Sequence, residues 1–262
     1  MQSLLSIEWL KVKSYRTFWI LTISFAFLLA IWNYGISDGF LKMGAGDVNS
    51  LNQAYSFSKV WGNVGFWASF FVVFISTLII ILTTNEYQYR TNRQNVIDGW
   101  SRLQFYHAKW FVVLALTFGT ILFVFLLGLI LGGINGGFSA FPGDIEKLFY
   151  TFVLTLNYYS LGLFTAILFK RSGISIGIFF MYNLIIETLL KSLINWKLDF
   201  KAGNYLPLQC SDELLPFPLM DMAKTMLNIK DTPSMTAYVI VSFVWIILYY
   251  IIGRRILMKS DW

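Results

Sequence analysis

Charged residues are scarce in this sequence. Asp, Glu, Lys and Arg together make up 13% of the 262 residues, and the mean hydropathy is +0.63. Soluble globular domains carry about 25% charged residues. The low charge content therefore excludes an ordinary soluble domain and points to the lipid bilayer.

The sequence also has few of the residues that build common catalytic and metal sites. Cys210 is the only cysteine and His107 is the only histidine. A single cysteine excludes a disulfide within the chain, and a single histidine excludes a His-Glu-x-x-His zinc motif. No Gly-x-x-x-x-Gly-Lys-Ser/Thr loop occurs either. We therefore predict that this chain is not an enzyme, carries no metal or cofactor and does not bind nucleotide phosphates itself.

The sequence contains several long runs of uncharged, mostly apolar residues. A spanning helix needs roughly 20 apolar residues, and the runs lack the alternation of membrane-barrel strands. We therefore predict an all-α polytopic membrane protein that forms a single domain over residues 1–262. The predicted spans cover residues 17–36, 60–84, 108–132, 148–169, 173–194 and 234–255.

Basic residues set the orientation of the spans, because Lys and Arg gather in cytoplasmic loops. With the N-terminus inside, the cytoplasmic side receives 12 of the 20 basic residues, including all seven arginines. Its formal charge is then +8, against −2 on the outer side, and this asymmetry accounts for the pI of 9.3. The sequence predicts that both termini are cytoplasmic, and it indicates no nucleic-acid partner.

The segment before the first span mixes apolar and charged residues. Residues 2–15 read QSLLSIEWLKVKSY, and we expect an interfacial amphipathic helix with Lys11 and Lys13 directed to anionic headgroups. The lead contains Glu8, and the first span ends without a small-residue cleavage site. These features favour a retained helix over a secretory signal.

The most polar passage of the chain lies between the second and third spans. Residues 85–102 read NEYQYRTNRQNVIDGWSR, and residues 86–97 contain neither proline nor glycine. Gly99 is placed to end a helix. The residues alone leave two interpretations open. The passage is either a solvated connector that satisfies the positive-inside rule or a helix that binds a partner.

Glu187 is the only ionisable residue within the middle of a predicted span. One interpretation is an ion pair with Lys191, four residues later, near the outer interface. The other is a polar group that lines a translocation path.

Two pairs of glycines with four-residue spacing predict close helix packing. They are Gly128 with Gly132 and Gly173 with Gly177.

The polar passage resembles the first cytoplasmic loop of ABC-2 type transporter permeases, the membrane subunits of type V ABC exporters. In those proteins an acidic residue stands where the second helix exits. A basic or Gly-Thr element, an aliphatic pair, a turn, Ser-Arg and a lysine follow. The matching residues are Glu86, Thr91, Arg93, Val96, Ile97, Ser101, Arg102 and Lys109. The turn reads Asp98-Gly99-Trp100, where many members have a proline before Ser-Arg.

The resemblance implies a permease domain with a coupling helix that lies against a separate ATPase subunit, which holds ATP and Mg. The implied coupling residues are Glu86, Arg90, Arg93, Val96, Ile97, Ser101 and Arg102. It also implies a homodimer in the bacterial plasma (inner) membrane, with an export path between the two permeases lined by the second and fifth helices. Asn183 and Glu187 would contribute to that path. The alternative is a membrane scaffold or assembly subunit that transports nothing.

Overall fold

The computed structural model describes residues 2–39, 55–97, 99–137, 141–198, 201–217 and 234–259. Over these ranges the chain consists of helices joined by turns, without a strand. Asp98, part of the predicted turn before Ser101, lies outside them. In chain order the helices are α1 (Gln2–Lys13), α2 (Arg16–Ser37), α3 (Val60–Gln88), α4 (Thr91–Ile97), α5 (Arg102–Gly136), α6 (Glu146–Phe169), α7 (Ser172–Met181), α8 (Glu187–Lys197), α9 (Gln209–Asp212) and α10 (Met235–Lys259).

Six of these elements are long and apolar enough to cross a membrane, which confirms the predicted all-α polytopic fold. They are α2, α3, α5, α6, α10 and the continuous pair α7–α8, which is joined by a π-helical turn at Tyr182–Ile186. Most continue beyond the predicted apolar spans. The backbone hydrogen bonds of a helix continue past the end of its apolar run, so the polar residues that flank the run are also helical.

The helix α6 lies at the centre of the bundle and contacts α3, α5, α7 and α10. A Cβ added at Gly162 would lie 3.1 Å from the backbone oxygen of Ser76 in α3. The two helices therefore approach almost backbone to backbone, as small residues permit in membranes. The hydroxyl of Ser160 donates to the Leu156 carbonyl of its own helix at 2.6 Å, so this buried polar group is satisfied.

The first glycine pair packs α5 against the start of α3, as predicted. A Cβ at Gly128 would collide with the indole of Trp61, and one at Gly132 would lie 2.7 Å from the ring of Phe57. Both aromatic side chains are fully buried. The space left by the two glycines is therefore filled by aromatic rings from the neighbouring segment.

The helix α1 is attached to the bundle by apolar contacts as well as by charge. Val12 of α1, Phe18 of α2 and Leu78 of α3 form one buried cluster. Residues 2–13 are helical, as expected from the sequence. This packing places α1 beside the end of the bundle where α3 ends and α5 begins.

Candidate functional site

Four charged side chains join α1, α3 and α5 at the predicted cytoplasmic end of the bundle. The Lys109 ammonium lies 2.7 Å from a carboxylate oxygen of Glu8 and 2.7 Å from one of Glu86. The Lys11 ammonium lies 3.2 Å from Glu8 and 3.1 Å from Glu86. Two positive groups therefore balance two negative ones. We call these four residues the ionic cluster.

The ionic cluster is largely closed to solvent. The side chains of Lys109, Glu8 and Glu86 are 5%, 6% and 9% exposed. Burial opposes ionisation of Glu8, but the ammonium groups of Lys109 and Lys11 outweigh it and hold the pKa of Glu8 below its usual value of 4.5. A buried charge that loses its partner is strongly destabilising. The cluster therefore fixes α1 against the ends of the second and third spans.

Two residues of the ionic cluster, Lys11 and Glu86, have neighbours that differ from those expected from the sequence. Lys11 contacts carboxylates instead of pointing only toward headgroups, while Lys13 stays exposed. Glu86, placed in the coupling set, faces Lys109 inside the protein, and its side chain is 9% exposed. The sequence signal was present in outline for two of the residues, since Glu86 and Lys109 each adjoin an uncharged run. Only the fold shows that these two residues meet Glu8 of α1.

The polar passage is not one continuous helix from residue 86 to 97. The helix α3 ends at Gln88, Arg90 has a left-handed φ of 57°, and α4 starts at Thr91. After α4, Gly99 has a φ of 96°, which glycine adopts readily. The predicted helix end at Gly99 is therefore confirmed. The two bends isolate α4 as a short helix between the second and third spans.

The two sides of α4 differ in burial. Asn92 and Asn95 face the protein and are 4% and 9% exposed. Arg93 is exposed, Val96 is 38% exposed and Ile97 is 84% exposed. Two neighbouring exposed apolar side chains beside an exposed arginine make this side of α4 a candidate interaction surface. We call the side formed by Arg93, Val96 and Ile97 the exposed face of α4.

Ser101 and Arg102 hold the start of α5 in place. The Ser101 hydroxyl accepts a hydrogen bond from the Gln104 N–H at 3.2 Å, and the Gln104 side chain accepts one from the Ser101 N–H at 2.8 Å. This reciprocal capping box fixes where α5 begins. The Arg102 guanidinium donates to the Met258 carbonyl of α10 at 2.9 Å. Both predicted coupling residues thus make their contacts within this chain.

At the opposite end of the bundle, a short segment folds back against α6, α8 and α10. It includes a 3-10 turn at Ala202–Tyr205 and the helix α9. Glu187, fully buried in α8, accepts hydrogen bonds from the N–H groups of Leu208 at 2.6 Å and Gln209 at 3.1 Å. The carboxylate therefore holds the start of α9 against the fifth span.

Lys191 binds the same folded-back segment and does not pair with Glu187. Its ammonium donates to Gln209 at 2.8 Å and to Glu213 at 2.6 Å. The ion pair between Glu187 and Lys191 that the spacing suggested is absent from the described part of the chain. Both side chains instead attach the folded-back segment to α8, which neither sequence interpretation foresaw, because the partners are 18 to 22 residues away in the chain.

Asn183 lies in the π-helical turn of the fifth span. Its side-chain oxygen is 3.4 Å from the Tyr158 hydroxyl, which lies 3.0 and 3.1 Å from the two carboxylate oxygens of Asp212. Tyr158 therefore links the fifth span to α9. Single π turns occur frequently at functional sites. Asn183 and Glu187 thus belong to one polar network that involves α6, the fifth span and the folded-back segment.

Replacing Glu187 with Leu is expected to loosen this segment. Two buried N–H groups would lose their acceptor, and each unpaired group costs about 1–3 kcal/mol. Cys210 reports the change, because it is fully buried and burial raises the pKa of its thiol to about 12. We expect maleimide labelling of Cys210 to rise by about tenfold or more, since each 1.4 kcal/mol is a factor of about ten.

A matched control for this experiment is Thr188→Val. Thr188 is the next residue of α8 and is exposed. Its substitution should leave the labelling rate of the native Cys210 unchanged. Equal labelling of Cys210 in the Glu187→Leu variant and in the unchanged protein would show that Glu187 does not hold the segment.

The fifth span also contains the spacing Gly-x-Ser-x-Gly at residues 173–177, which sequence reasoning passed over. In hydrolases this motif places an exposed serine on a sharp turn between a strand and a helix. Here Ser175 is buried within α7 and donates to the Thr165 carbonyl at 3.3 Å. An added Cβ at Gly173 or Gly177 would meet no atom within 4 Å. This second glycine pair therefore packs no helix of the described chain, and the motif has no nucleophile geometry.

His107 packs against α10 near the start of α5, at the predicted cytoplasmic end. Its Nε2 lies 3.0 Å from the Tyr250 hydroxyl of α10, and the two rings stack with an angle of 7° between their planes. No group of three or more potential metal ligands occurs among the described residues.

Comparison with known proteins identifies a family. The family model of the ABC-2 family transporter proteins matches residues 4–186. That range includes the ionic cluster, the exposed face of α4 and Asn183, and it ends immediately before Glu187. No curated protein matches the chain.

Proposed function

The chain belongs to the ABC-2 family of transporter proteins, and from this premise we propose that it is the permease subunit of an ATP-binding cassette exporter. Membership of the family makes it a multi-pass membrane component of transport. The finer assignment is ours. Two permease subunits, expected to be identical, form the export path, and a separate ATPase subunit supplies the energy.

The observation that carries this proposal is the exposed face of α4. Arg93, Val96 and Ile97 project from a helix whose opposite side is buried in the permease. The helix connects directly to the second and third spans through the bends at Arg90 and Gly99. A force on this face would therefore reach both spans, as a coupling helix requires.

The ionic cluster and the capping box make the connection stiff. Lys109 joins the end of α3 to the start of α5 through Glu86, and it joins α1 through Glu8. Arg102 adds a bond to α10. A displacement of α4 would thus move four helices together. In this proposal Glu86, Ser101 and Arg102 transmit the movement, while Arg93, Val96 and Ile97 contact the ATPase.

The fifth span offers an outward surface for the second permease. Large apolar side chains on it are exposed in the single chain: Met181 53%, Leu184 64%, Ile185 55%, Leu189 58% and Leu193 53%. This surface supports a homodimer in which the second and fifth spans of the two subunits line the export path. Asn183, half-buried beside it, is the candidate polar group of the path. Glu187 acts indirectly, by holding the folded-back segment. The proposed setting is the bacterial plasma membrane, with both termini in the cytoplasm.

The ATPase activity itself belongs to the partner in this proposal, since the full sequence has no phosphate-binding loop. We expect the purified chain alone to hydrolyse no ATP above background. We expect the tagged chain, purified from its native membrane, to bring with it a subunit that binds ATP and Mg and hydrolyses the ATP. Hydrolysis by the isolated chain, or a purified complex free of any ATP-hydrolysing subunit, would contradict the exporter assignment. The second result would favour the scaffold alternative.

A further inference from the structure

Two cavities meet beside α1. The larger, of about 380 Å³, lies between α1, α2 and α5, and we call it the chain cavity. The smaller, of about 230 Å³, lies at the ionic cluster, and we call it the cluster cavity. Glu8, Val12 and Val112 line both, so the two cavities adjoin. We propose that they bind one phospholipid whose headgroup carries a primary ammonium, with an acyl chain in the chain cavity and the ammonium at Glu86.

The walls of the chain cavity are mostly apolar and leave room for a ligand. On α5 they include Ala115 and Gly119, two small residues that are exposed in the single chain. A Cβ added at Gly119 would meet no atom within 4 Å. Apolar cavities do not hold water. Within the membrane, hydrocarbon is therefore the available occupant of the chain cavity.

The dimensions of the chain cavity fit one extended hydrocarbon chain. Its lining on α5 runs from Phe111 to Phe123, a length of about 18 Å at 1.5 Å per residue. This length is close to half of the bilayer hydrocarbon core, which is about 30 Å thick. Dividing the volume by the length leaves a cross-section of roughly 21 Å². A helix of about 10 Å diameter needs several times that area, so a helix from a second subunit does not fit.

The cluster cavity supplies the polar end of the site. The four residues of the ionic cluster line it, and their charges balance. A balanced site favours a headgroup without net charge over an anionic one. The Lys11 side chain is 32% exposed, so its ammonium is accessible to the phosphate of such a headgroup.

Glu86 is the acceptor for the ammonium of the headgroup. Its Oε1 accepts hydrogen bonds from Lys11 and Lys109, but its Oε2 is buried and accepts none from any described residue. A buried polar atom without a partner is rare and needs an explanation. A primary ammonium has N–H groups that would satisfy this oxygen, whereas a quaternary ammonium has none. The cluster cavity therefore distinguishes between two headgroups that are both zwitterionic.

The position of the two cavities agrees with a lipid and differs from that of the proposed ATPase contact. Trp9 of α1 lines the chain cavity and is 54% exposed. Tryptophan is enriched where hydrocarbon meets headgroups, which is the level at which the chain cavity joins the cluster cavity. The exposed face of α4 contributes no residue to either cavity. Lipid binding is therefore independent of the exporter assignment.

The test measures lipid binding to the full-length protein in neutral detergent by native mass spectrometry. The lipids are phosphatidylethanolamine, phosphatidylcholine and phosphatidylglycerol with identical acyl chains. We expect phosphatidylethanolamine to bind about tenfold more tightly than phosphatidylcholine. Only the former can donate to Glu86, and a hydrogen bond to a charged group corresponds to about that factor or more. Phosphatidylglycerol, which is anionic, should also bind more weakly than phosphatidylethanolamine.

Gly119→Leu fills the chain cavity and leaves the ionic cluster unchanged. It should weaken phosphatidylethanolamine binding by about tenfold or more, since the lost burial of about two methylene groups corresponds to that factor. The matched control is Gly35→Leu. Gly35 lies on α2, lines neither cavity and also has no atom within 4 Å of an added Cβ. The control should keep the affinity within about twofold. Ala115→Leu fills the same wall and replaces Gly119→Leu if that variant purifies poorly.

Each result of this titration decides the proposal. Preferred binding of phosphatidylethanolamine that falls in the Gly119→Leu variant and not in the Gly35→Leu variant supports it. Equal affinities for the three lipids, or the tightest binding for phosphatidylglycerol, would overturn it. Equal binding by the two variants would place the lipid elsewhere and also overturn it. The same spectra report the number of subunits, so a Gly119→Leu variant that loses a dimer but keeps its lipid would assign the chain cavity to a subunit contact.

Discussion

Replacing Lys109 with Met should give the largest loss of stability of any single substitution at the cytoplasmic end of the bundle. Lys109 is the ammonium that lies between Glu8 and Glu86, at 2.7 Å from each, and its side chain is 5% exposed. Its removal leaves two buried carboxylates with only the partly exposed Lys11 as a partner. Breaking a buried ion pair by removing one side typically costs about 3–5 kcal/mol.

Thermal unfolding of the detergent-purified protein measures this loss, and Lys13→Met is its control. Lys13 lies on the same helix as Glu8 but is exposed, so its substitution should change stability by no more than about 0.5 kcal/mol. The double variant Glu8→Gln with Lys109→Met should lose less than the sum of the two single variants, because the residues are in direct contact. Additive losses, or equal effects at Lys109 and Lys13, would refute the ionic cluster as a structural anchor.

The pH dependence of the ionic cluster follows from Glu8. Its pKa is lowered below 4.5 in the folded protein, so the unfolded state binds protons more readily. The stabilisation from Glu8 is therefore fully present above pH 4.5 and is lost as the pH falls through the lower, folded value. Near neutral pH the contact of α1 with α5 should be insensitive to pH.

Replacing Arg93 with Glu should separate the chain from the proposed ATPase subunit while leaving the membrane fold intact. Arg93 is exposed on α4 next to Val96 and Ile97 and makes no ion pair with a described residue. Charge reversal at an interface can place like charges together at a cost of several kcal/mol. We expect co-purification of the ATPase to fall by about tenfold or more, since 1.4 kcal/mol corresponds to tenfold.

Ile97→Asp tests the apolar part of the same face. Ile97 is 84% exposed in the single chain, so an acidic residue there should not disturb the fold but should oppose its burial by a partner. Lys259→Glu is the matched control, because it reverses an exposed cytoplasmic charge at the end of α10. Normal membrane levels with normal ATPase recovery in both α4 variants would leave α4 as a solvated connector.

The sequence by itself determined the class of the protein and the number of spans, and it located the polar passage in which α4 lies. Apolar runs of about 20 residues are long enough to cross a membrane as helices, so their count follows from local composition, although the helices extend beyond the runs. Gly99 was predictable for the same reason, since a helix end depends on the conformation of one residue. The close packing at Gly128 and Gly132 was also predictable, because two glycines four residues apart lie on the same side of a helix and leave room there for a neighbour.

Only the tertiary structure decided which charges meet. Glu8, Glu86 and Lys109 lie far apart in the chain, and nothing in local spacing shows that the carboxylates of α1 and α3 meet one ammonium of α5. Glu187 shows the same limit. The four-residue spacing from Glu187 to Lys191 suggested an ion pair. In the structure the Glu187 carboxylate instead accepts hydrogen bonds from backbone N–H groups 21 and 22 residues further along the chain. In a membrane bundle the apolar runs fix which segments are helical, whereas helix packing determines which polar groups are partners.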